Sequence, residues 1–268
     1  MLLTRPTPIF PIVKSQKGRS HWYEINGKKV PGVTFIIDLY PKPGLIQGSA
    51  NAVIRSVKEK VIGFIQSEWK NGSNFDAAVE DRIYIILEEC RTAYAKEWRG
   101  EADYGTRVHD LIHQFIEKDI VELKDEHEKV RSGFQAFLNW FYANKVTFVA
   151  SELIVGSKIH GFCGTLDALA YVNGKFCILD WKTNKAITPS MFQQVQGGYK
   201  IAFEESYDYF PKVDECWILR CPKDGSEFEI KKIPTDPDVD KAAFLYALGY
   251  KKLLPIYEQY DPYVRKNA

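Results

Sequence analysis

The dipeptide Asn173-Gly174, set between two runs of strand-forming residues, constrains the fold more than any other feature of the chain. Asn-Gly is the preferred sequence of the two-residue type I′ hairpin turn, because both central residues must adopt positive φ. With these two residues in the turn, Val172 pairs with Lys175, Tyr171 with Phe176 and Leu169 with Ile178, and Asp167 falls opposite Asp180. Lys182, two residues further on, shares the face of Asp180 because strand side chains alternate with period two. Directly opposed side chains have Cβ atoms about 5 Å apart, and like charges there are destabilising. Leu166, Leu169, Ile178 and Leu179 make both faces apolar, so the strands read as central and buried. Opposed carboxylates in such a place need a cation between them, or one must hold a proton. A divalent metal with oxygen ligands meets that need. The plainer alternative is a surface hairpin with solvated Asp residues, or an Asp180–Lys182 pair of structural meaning only. The apolar flanks disfavour solvation.

The rest of the chain divides by texture. Residues 1–20, with three prolines and several basic residues, read as a loose arm. A second hairpin signal follows, His21–Ile25, Asn26-Gly27 and Lys28–Val30. Apolar residues at helical spacing predict helices over Ser49–Trp69, Phe75–Trp98, Ala102–Glu117 and Lys124–Ala143, with Asn71–Asn74 as a loop. After Lys145 strands dominate: Val146–Val155, Thr165–Val172 and Lys175–Lys182. A helix over Pro189–Glu205, strands near Cys216–Cys221 and Phe228–Ile233, and a helix over Val239–Tyr257 complete the chain. This order predicts an α/β or α+β fold, a mixed central sheet flanked by helices plus a helical N-terminal region. The expectation is one domain over 1–268, divided into a hairpin-and-helix region 1–100 and a core 101–268.

Composition narrows the function classes. The 268 residues include sixteen Phe, fifteen Tyr and six Trp, which need an interior and exclude low-complexity disorder. No long uncharged apolar run exists, so no membrane span is expected. Lys plus Arg is 36 and Asp plus Glu is 35, a net charge of +1 that excludes binding nucleic acid through bulk charge. The N-terminus lacks a secretory apolar core, which predicts an intracellular, cytoplasmic protein. Five cysteines (Cys90, Cys163, Cys177, Cys216, Cys221) without a CxxC pair predict buried free thiols, not a disulfide framework or structural zinc.

The hairpin and its neighbours resemble a known family. Gly164-x-x-Asp167 followed by Asp180-x-Lys182 resembles the RecB-like branch of the PD-(D/E)XK nucleases. Gly105-Thr106-Arg107-Val108-His109 matches that family's helical Gly-x-x-x-His element. Glu152 lies on the preceding strand, and Gln194–Tyr199 resembles the Gln-Tyr motif. His21-x-Tyr23, Gly27 and Val30-Pro31-Gly32-Val33-Thr34 look like the opening of phage-type and mitochondrial genome maintenance exonucleases. The chain departs from the pattern in one spacing. Family Gln and Tyr are usually four apart, whereas Gln194 precedes Tyr199 by five and Gln196 by three. On an α-helix, i and i+3 share a face, which favours Gln196. Gly197-Gly198 in the same segment costs about 1 kcal/mol per residue relative to Ala. A close backbone approach or a helix break would account for it.

The resemblance implies a restriction-endonuclease-like core and metal-dependent phosphodiester hydrolysis. Asp167, Asp180, His109 and the Trp181 carbonyl would be metal ligands, with Mg2+ or Mn2+ fitting an oxygen-rich site. Lys182 would position the attacking water or neutralise developing charge. Glu152 would serve a second ion or a metal-bound water, and Gln194 or Gln196 with Tyr199 would position the scissile strand. Relatives with an iron–sulfur cluster use clustered C-terminal cysteines that Cys216 and Cys221 do not reproduce, so no cluster is expected. The implied substrate is DNA, as a single strand or a duplex end, cut by an exonuclease of replication, recombination or repair in a bacterium or phage-infected host. No membrane partner is expected, and a helicase or recombination partner is left unspecified.

Two other classes compete. One is a nucleic-acid-binding module that keeps the fold without catalysis, against which the full Asp167, Asp180 and Lys182 set argues. The other is a zinc peptidase, since His109-Asp110-Leu111-Ile112-His113 places two imidazoles at i and i+4. That reading lacks a third ligand and leaves the carboxylates unexplained, so His113 reads instead as a helix-surface or substrate-groove residue. Basic clusters at Lys14, Lys17 and Arg19, at Lys28 and Lys29, at Arg55, Lys58 and Lys60, and at Arg91, Lys96 and Arg99 are interleaved with Trp22, Tyr23, Trp69, Tyr94 and Trp98. Charge with stacking faces is how single strands are held.

Overall fold

The computed structural model describes residues 6–18, 20–40, 43–70, 77–91, 93–119, 121–222, 226 and 228–260. Two compact units emerge, one made of Met1–Tyr40 with Gly105–Ala268, the other of Pro41–Tyr104. The N-terminal hairpin therefore groups with the sheet-bearing core and not with the helices that follow it in sequence. The expected division at residue 100 falls instead at 104/105, with residues 1–40 on the core side.

The larger unit is α+β. Its main sheet contains β4 (Val146–Ser157), β5 (Phe162–Val172), β6 (Lys175–Lys182), β7 (Glu215–Arg220) and β8 (Glu229–Lys232), in that spatial order. All neighbours are antiparallel except β6 and β7, which run parallel. A parallel pair needs a long crossover. Here it consists of α6 (Pro189–Phe192), a π-helical turn (Gln193–Tyr199) and α7 (Lys200–Ser206). Asn173 and Gly174 have φ values of 51° and 85°, as the type I′ turn requires. The β5–β6 register runs from Val172↔Lys175 to Ala168↔Leu179, so Asp167 and Asp180 are the next residues along their strands.

Helices cover both faces of this sheet. On one face α5 (Glu128–Ala143) stacks Phe141 on Phe148 and sets Phe137 and Trp140 edge-on to Trp181. Phe115, near the end of α4 (Ala93–Lys118), joins that aromatic cluster. On the other face α1 (Val33–Ile37), the crossover and α8 (Pro237–Glu258) enclose Val33, Ile36, Phe162, Phe176, Phe203 and Phe244. All five cysteines are buried and free.

A second sheet contains β1 (Ile12–Lys17), β2 (Ser20–Ile25) and β3 (Lys28–Val30). β1 corrects the expectation of a loose arm over 1–20: Lys17 is exposed while Ile12 packs beside Tyr23, Ile25 and Cys163. Asn26 and Gly27, at φ 49° and 75°, form the expected turn.

In the smaller unit α2 (Pro43–Lys70) packs on α3 (Ala77–Arg91) through buried Ala52, Val79 and Cys90. Its ion pairs include Lys60–Glu89 at 2.7 Å, both exposed, and Arg82–Glu68 at 3.2 Å. The expected boundary between Phe75–Trp98 and Ala102–Glu117 is absent, since α4 runs unbroken from Ala93 to Lys118. The Asn71–Asn74 loop, Arg19, and the side chains of Arg91, Lys96, Trp69, Tyr94 and Trp98 lie outside the described residues. Among the described residues, no helix is long and apolar enough to cross a membrane.

Candidate metal centre

The ends of β5 and β6 open into a cleft of about 470 Å3. Its lining includes His109, Glu152, Asp167, Asp180, Lys182, Gln194 and Tyr199, so the structure brings together seven of the nine residues singled out from sequence. Trp181 and Gln196 are the other two, and neither side chain enters it.

Three ligand atoms converge, one each from His109, Glu152 and Asp167, all within 4.8 Å of one another. The local reason differs for each. His109 is carried by α4, which approaches the end of β6 because residue 105 is glycine. A Cβ at Gly105 would sit 2.7 Å from Thr183 Oγ1, closer than real contacts allow. Asp167 is fixed by the backbone N–H of Trp181, which donates to Asp167 Oδ2 at 2.7 Å. Glu152 sits between the pairs Ser151↔Ala168 and Leu153↔Leu166, but with φ 50°. A left-handed non-glycine residue inside a strand is strained by about 1–3 kcal/mol, and such strain clusters at functional sites. Here it interrupts the pairing and leaves the Glu152 carboxyl open to the cleft.

Asp180 lies beside this group and is 1% exposed. Lys182 Nζ forms an ion pair with Asp180 Oδ2. With Asp167 and Glu152 close by, one ammonium does not balance three carboxyl groups, which favours a further cation. The donor set, two or three carboxylates with one imidazole, fits a hard divalent ion with oxygen-rich coordination.

The electrostatics agree with that fit. Burial, and then Asp167, raise the Glu152 carboxyl to about 7. Burial raises Asp180 to about 6, against the opposing pull of Lys182. Burial also raises Asp167, opposed by Lys182 and the Trp181 N–H. Burial and then Lys182 lower His109 to about 4, so its ring is neutral at pH 7. A neutral imidazole is the form that binds metal. Burial disfavours the Lys182 ammonium, but Asp180 and Asp167 more than offset this and hold it charged.

The Gln-Tyr element is resolved by helix geometry. Residues 193–199 form a π-helical turn, in which i and i+5 stack. Gln194 Nε2 accordingly donates to Tyr199 Oη at 3.1 Å. Gln196, favoured by α-helical spacing, turns the other way and donates to Thr235 O and Asp240 Oδ2, each at 2.9 Å. Gly197 accounts for itself at the same place, since a Cβ there would lie 2.3 Å from the Asp240 carbonyl of α8. Trp181 contributes backbone only, its N–H to Asp167 and a hydrogen bond with His109. Its indole packs on α5.

The histidine pair on α4 does not converge. His113 Nδ1 is 2.8 Å from Ser151 Oγ, which in turn donates to the Asp167 carbonyl at 3.3 Å. His113 supports β4 and β5 and lies outside the ligand group.

The cleft also holds residues that sequence reasoning left outside the site: Lys14, His21 and Tyr23 of the small sheet, with Thr34, Asp110 and Thr165. Tyr23 Oη and Thr165 Oγ1 are hydrogen-bonded at 2.9 Å. The sequence carried signals for several of them: Thr165 lies two residues before Asp167 on the same strand face, His21, Tyr23 and Thr34 belong to the N-terminal motif, and Lys14 to a basic cluster. Other expected nucleic-acid contacts are engaged internally, Lys29 over the Trp22 ring and Lys60 with Glu89. No protein-family model matches the chain, and no curated protein is significantly similar to it.

Proposed function

We propose that the protein is a divalent-metal-dependent phosphodiesterase acting on DNA, an exonuclease of the RecB-like PD-(D/E)XK type. The carrying observation is the convergence of His109, Glu152 and Asp167, with Asp180 and Lys182 beside them, in one cleft. His109, Glu152 and Asp167, with Asp180, would hold the ion. A bound divalent ion supplies Lewis acidity and makes water a nucleophile near neutral pH.

The chain's own groups do the rest. Lys182 stays protonated and faces the cleft, where it offsets negative charge that builds on a phosphoryl oxygen. Tyr199 accepts the Gln194 amide proton, which leaves its own hydroxyl proton free to donate to a phosphate oxygen. DNA as the polymer, end-directed action and a role in replication, recombination or repair in the cytoplasm of a bacterium or infected host rest on the motif resemblance.

The test uses 5′- and 3′-labelled single- and double-stranded DNA with Mg2+, Mn2+ or EDTA, and the Asp180→Ala variant in parallel. Metal-dependent cleavage, lost by roughly 100-fold or more in the variant, is expected. Undiminished cleavage in Asp180→Ala, or none in the wild type with either metal, sinks the reading.

A further inference from the structure

The small three-stranded sheet brings one cation into the cleft that the metal group does not account for. In β1, Lys14 stands directly opposite Tyr23 of β2. His21 lies two residues before Tyr23, so the three side chains share one face of the sheet. Their rings meet edge to face, His21 against Tyr23 with centroids 5.4 Å apart. Tyr23 then fastens that face to the main sheet through Thr165, two residues from Asp167 on the same side of β5. Lys14 is thereby delivered to the cleft wall.

The two cleft lysines differ in their partners. Lys182 is paired with Asp180. Lys14, although half-buried among carboxylates, makes no ion pair or hydrogen bond to any described residue. Holding a partly desolvated ammonium without a partner costs free energy unless something anionic arrives. Glu152 and Asp167 feel its charge at a distance, without a contact.

Resting on the hydrolase reading above, we infer that Lys14, flanked by His21, forms a second phosphate subsite, which binds a phosphate of the polynucleotide strand other than the one being cut. The subsite holds the strand in register with the metal group, and Lys14 is a positioning residue. One charge-assisted contact of this kind is worth roughly tenfold or more in affinity.

Three measurements test this. Steady-state cleavage of single-stranded DNA by Lys14→Met should show KM raised roughly tenfold with kcat little changed, and Lys14→Arg should recover most of the loss. Binding of 5′-phosphorylated and 5′-hydroxyl tetrathymidylate, followed by anisotropy in EDTA, should weaken in Lys14→Met while its thermal melt stays that of the wild type. Preference for the 5′-phosphorylated form, lost in the variant, assigns a terminal phosphate; equal weakening for both forms assigns an internal one. Replacing single phosphates by methylphosphonate should find one position at which the Lys14→Met effect disappears. Wild-type KM in Lys14→Met, or no such position, overturns the inference and leaves the hydrolase reading intact. Lys14-dependent binding by a protein that cleaves nothing keeps the subsite and removes the hydrolase.

Discussion

The two Asn-Gly hairpins make a controlled comparison. Asn26-Gly27 and Asn173-Gly174 adopt the same type I′ geometry, with φ values within 10° of one another at each position. Their surroundings differ. β2–β3 is short, and its return strand is largely exposed, with Lys29 lying over Trp22. β5–β6 is central, sandwiched between helices, and ends in Asp167, Asp180 and Lys182. Turn chemistry sets register in both; burial gathers the second hairpin's carboxylates in the cleft, while Lys28 and Lys29 of the first stay exposed.

The largest expected effect concerns metal. A divalent ion at 100 times its dissociation constant stabilises the folded state by about 2.7 kcal/mol, roughly 5–10 °C in a chain of this size. Scanning calorimetry with and without Mn2+ should show that shift in the wild type, none in Asp167→Asn, and the full shift in Lys28→Ala. Loss of the shift in Lys28→Ala would erase the distinction between the hairpins.

Next comes pH. Glu152 and Asp180 have raised folded-state values, about 7 and about 6. The native state holds protons that the unfolded chain has released, so their contribution is full below about pH 4 and is lost as pH rises through 6 to 7. His109, lowered to about 4, works in the opposite sense between 4 and 6.5. Without metal, stability should therefore decline from about pH 4.5 to 7 and level off above that, and Glu152→Gln should flatten that limb. Denaturant melts across this range check it, and a decline unchanged in Glu152→Gln refutes the assignment.

The smallest effect isolates the turns. Gly27 and Gly174 have positive φ and open space where a Cβ would go. Gly→Ala at either should cost about 1 kcal/mol from backbone strain alone. A much larger cost at Gly174 than at Gly27, read from midpoints in urea, would mean that the turn also holds the β5–β6 carboxylates in register.

The β5–β6 register could be read from one dipeptide because turn type and side-chain period leave no freedom once the turn is placed. Gly105 and His109 could be paired on spacing, although the reason for the glycine, contact with Thr183, is tertiary. Other features had no local signature. β1 was hidden by prolines and lysines, since its pairing with β2 depends on contacts with Cys163 and its neighbours. The left-handed backbone of Glu152 matches no preference of glutamate, so the sequence carried no sign of it. Gln196 was favoured over Gln194 because the expected helix was assumed to be α throughout.

That π-helical turn has a consequence for anyone re-engineering the crossover. It amounts to one surplus residue lodged in a helix. Deleting a single residue between Val195 and Gly198 would let the segment relax to ordinary winding, and Gln194 would then precede the tyrosine by four residues, one α-helical turn, on the same face. The residues upstream would keep their place relative to α7, because the wide turn already absorbs the surplus residue. The amide–phenol pair is thus compatible with two windings of the crossover, and the surplus residue can be removed without parting them.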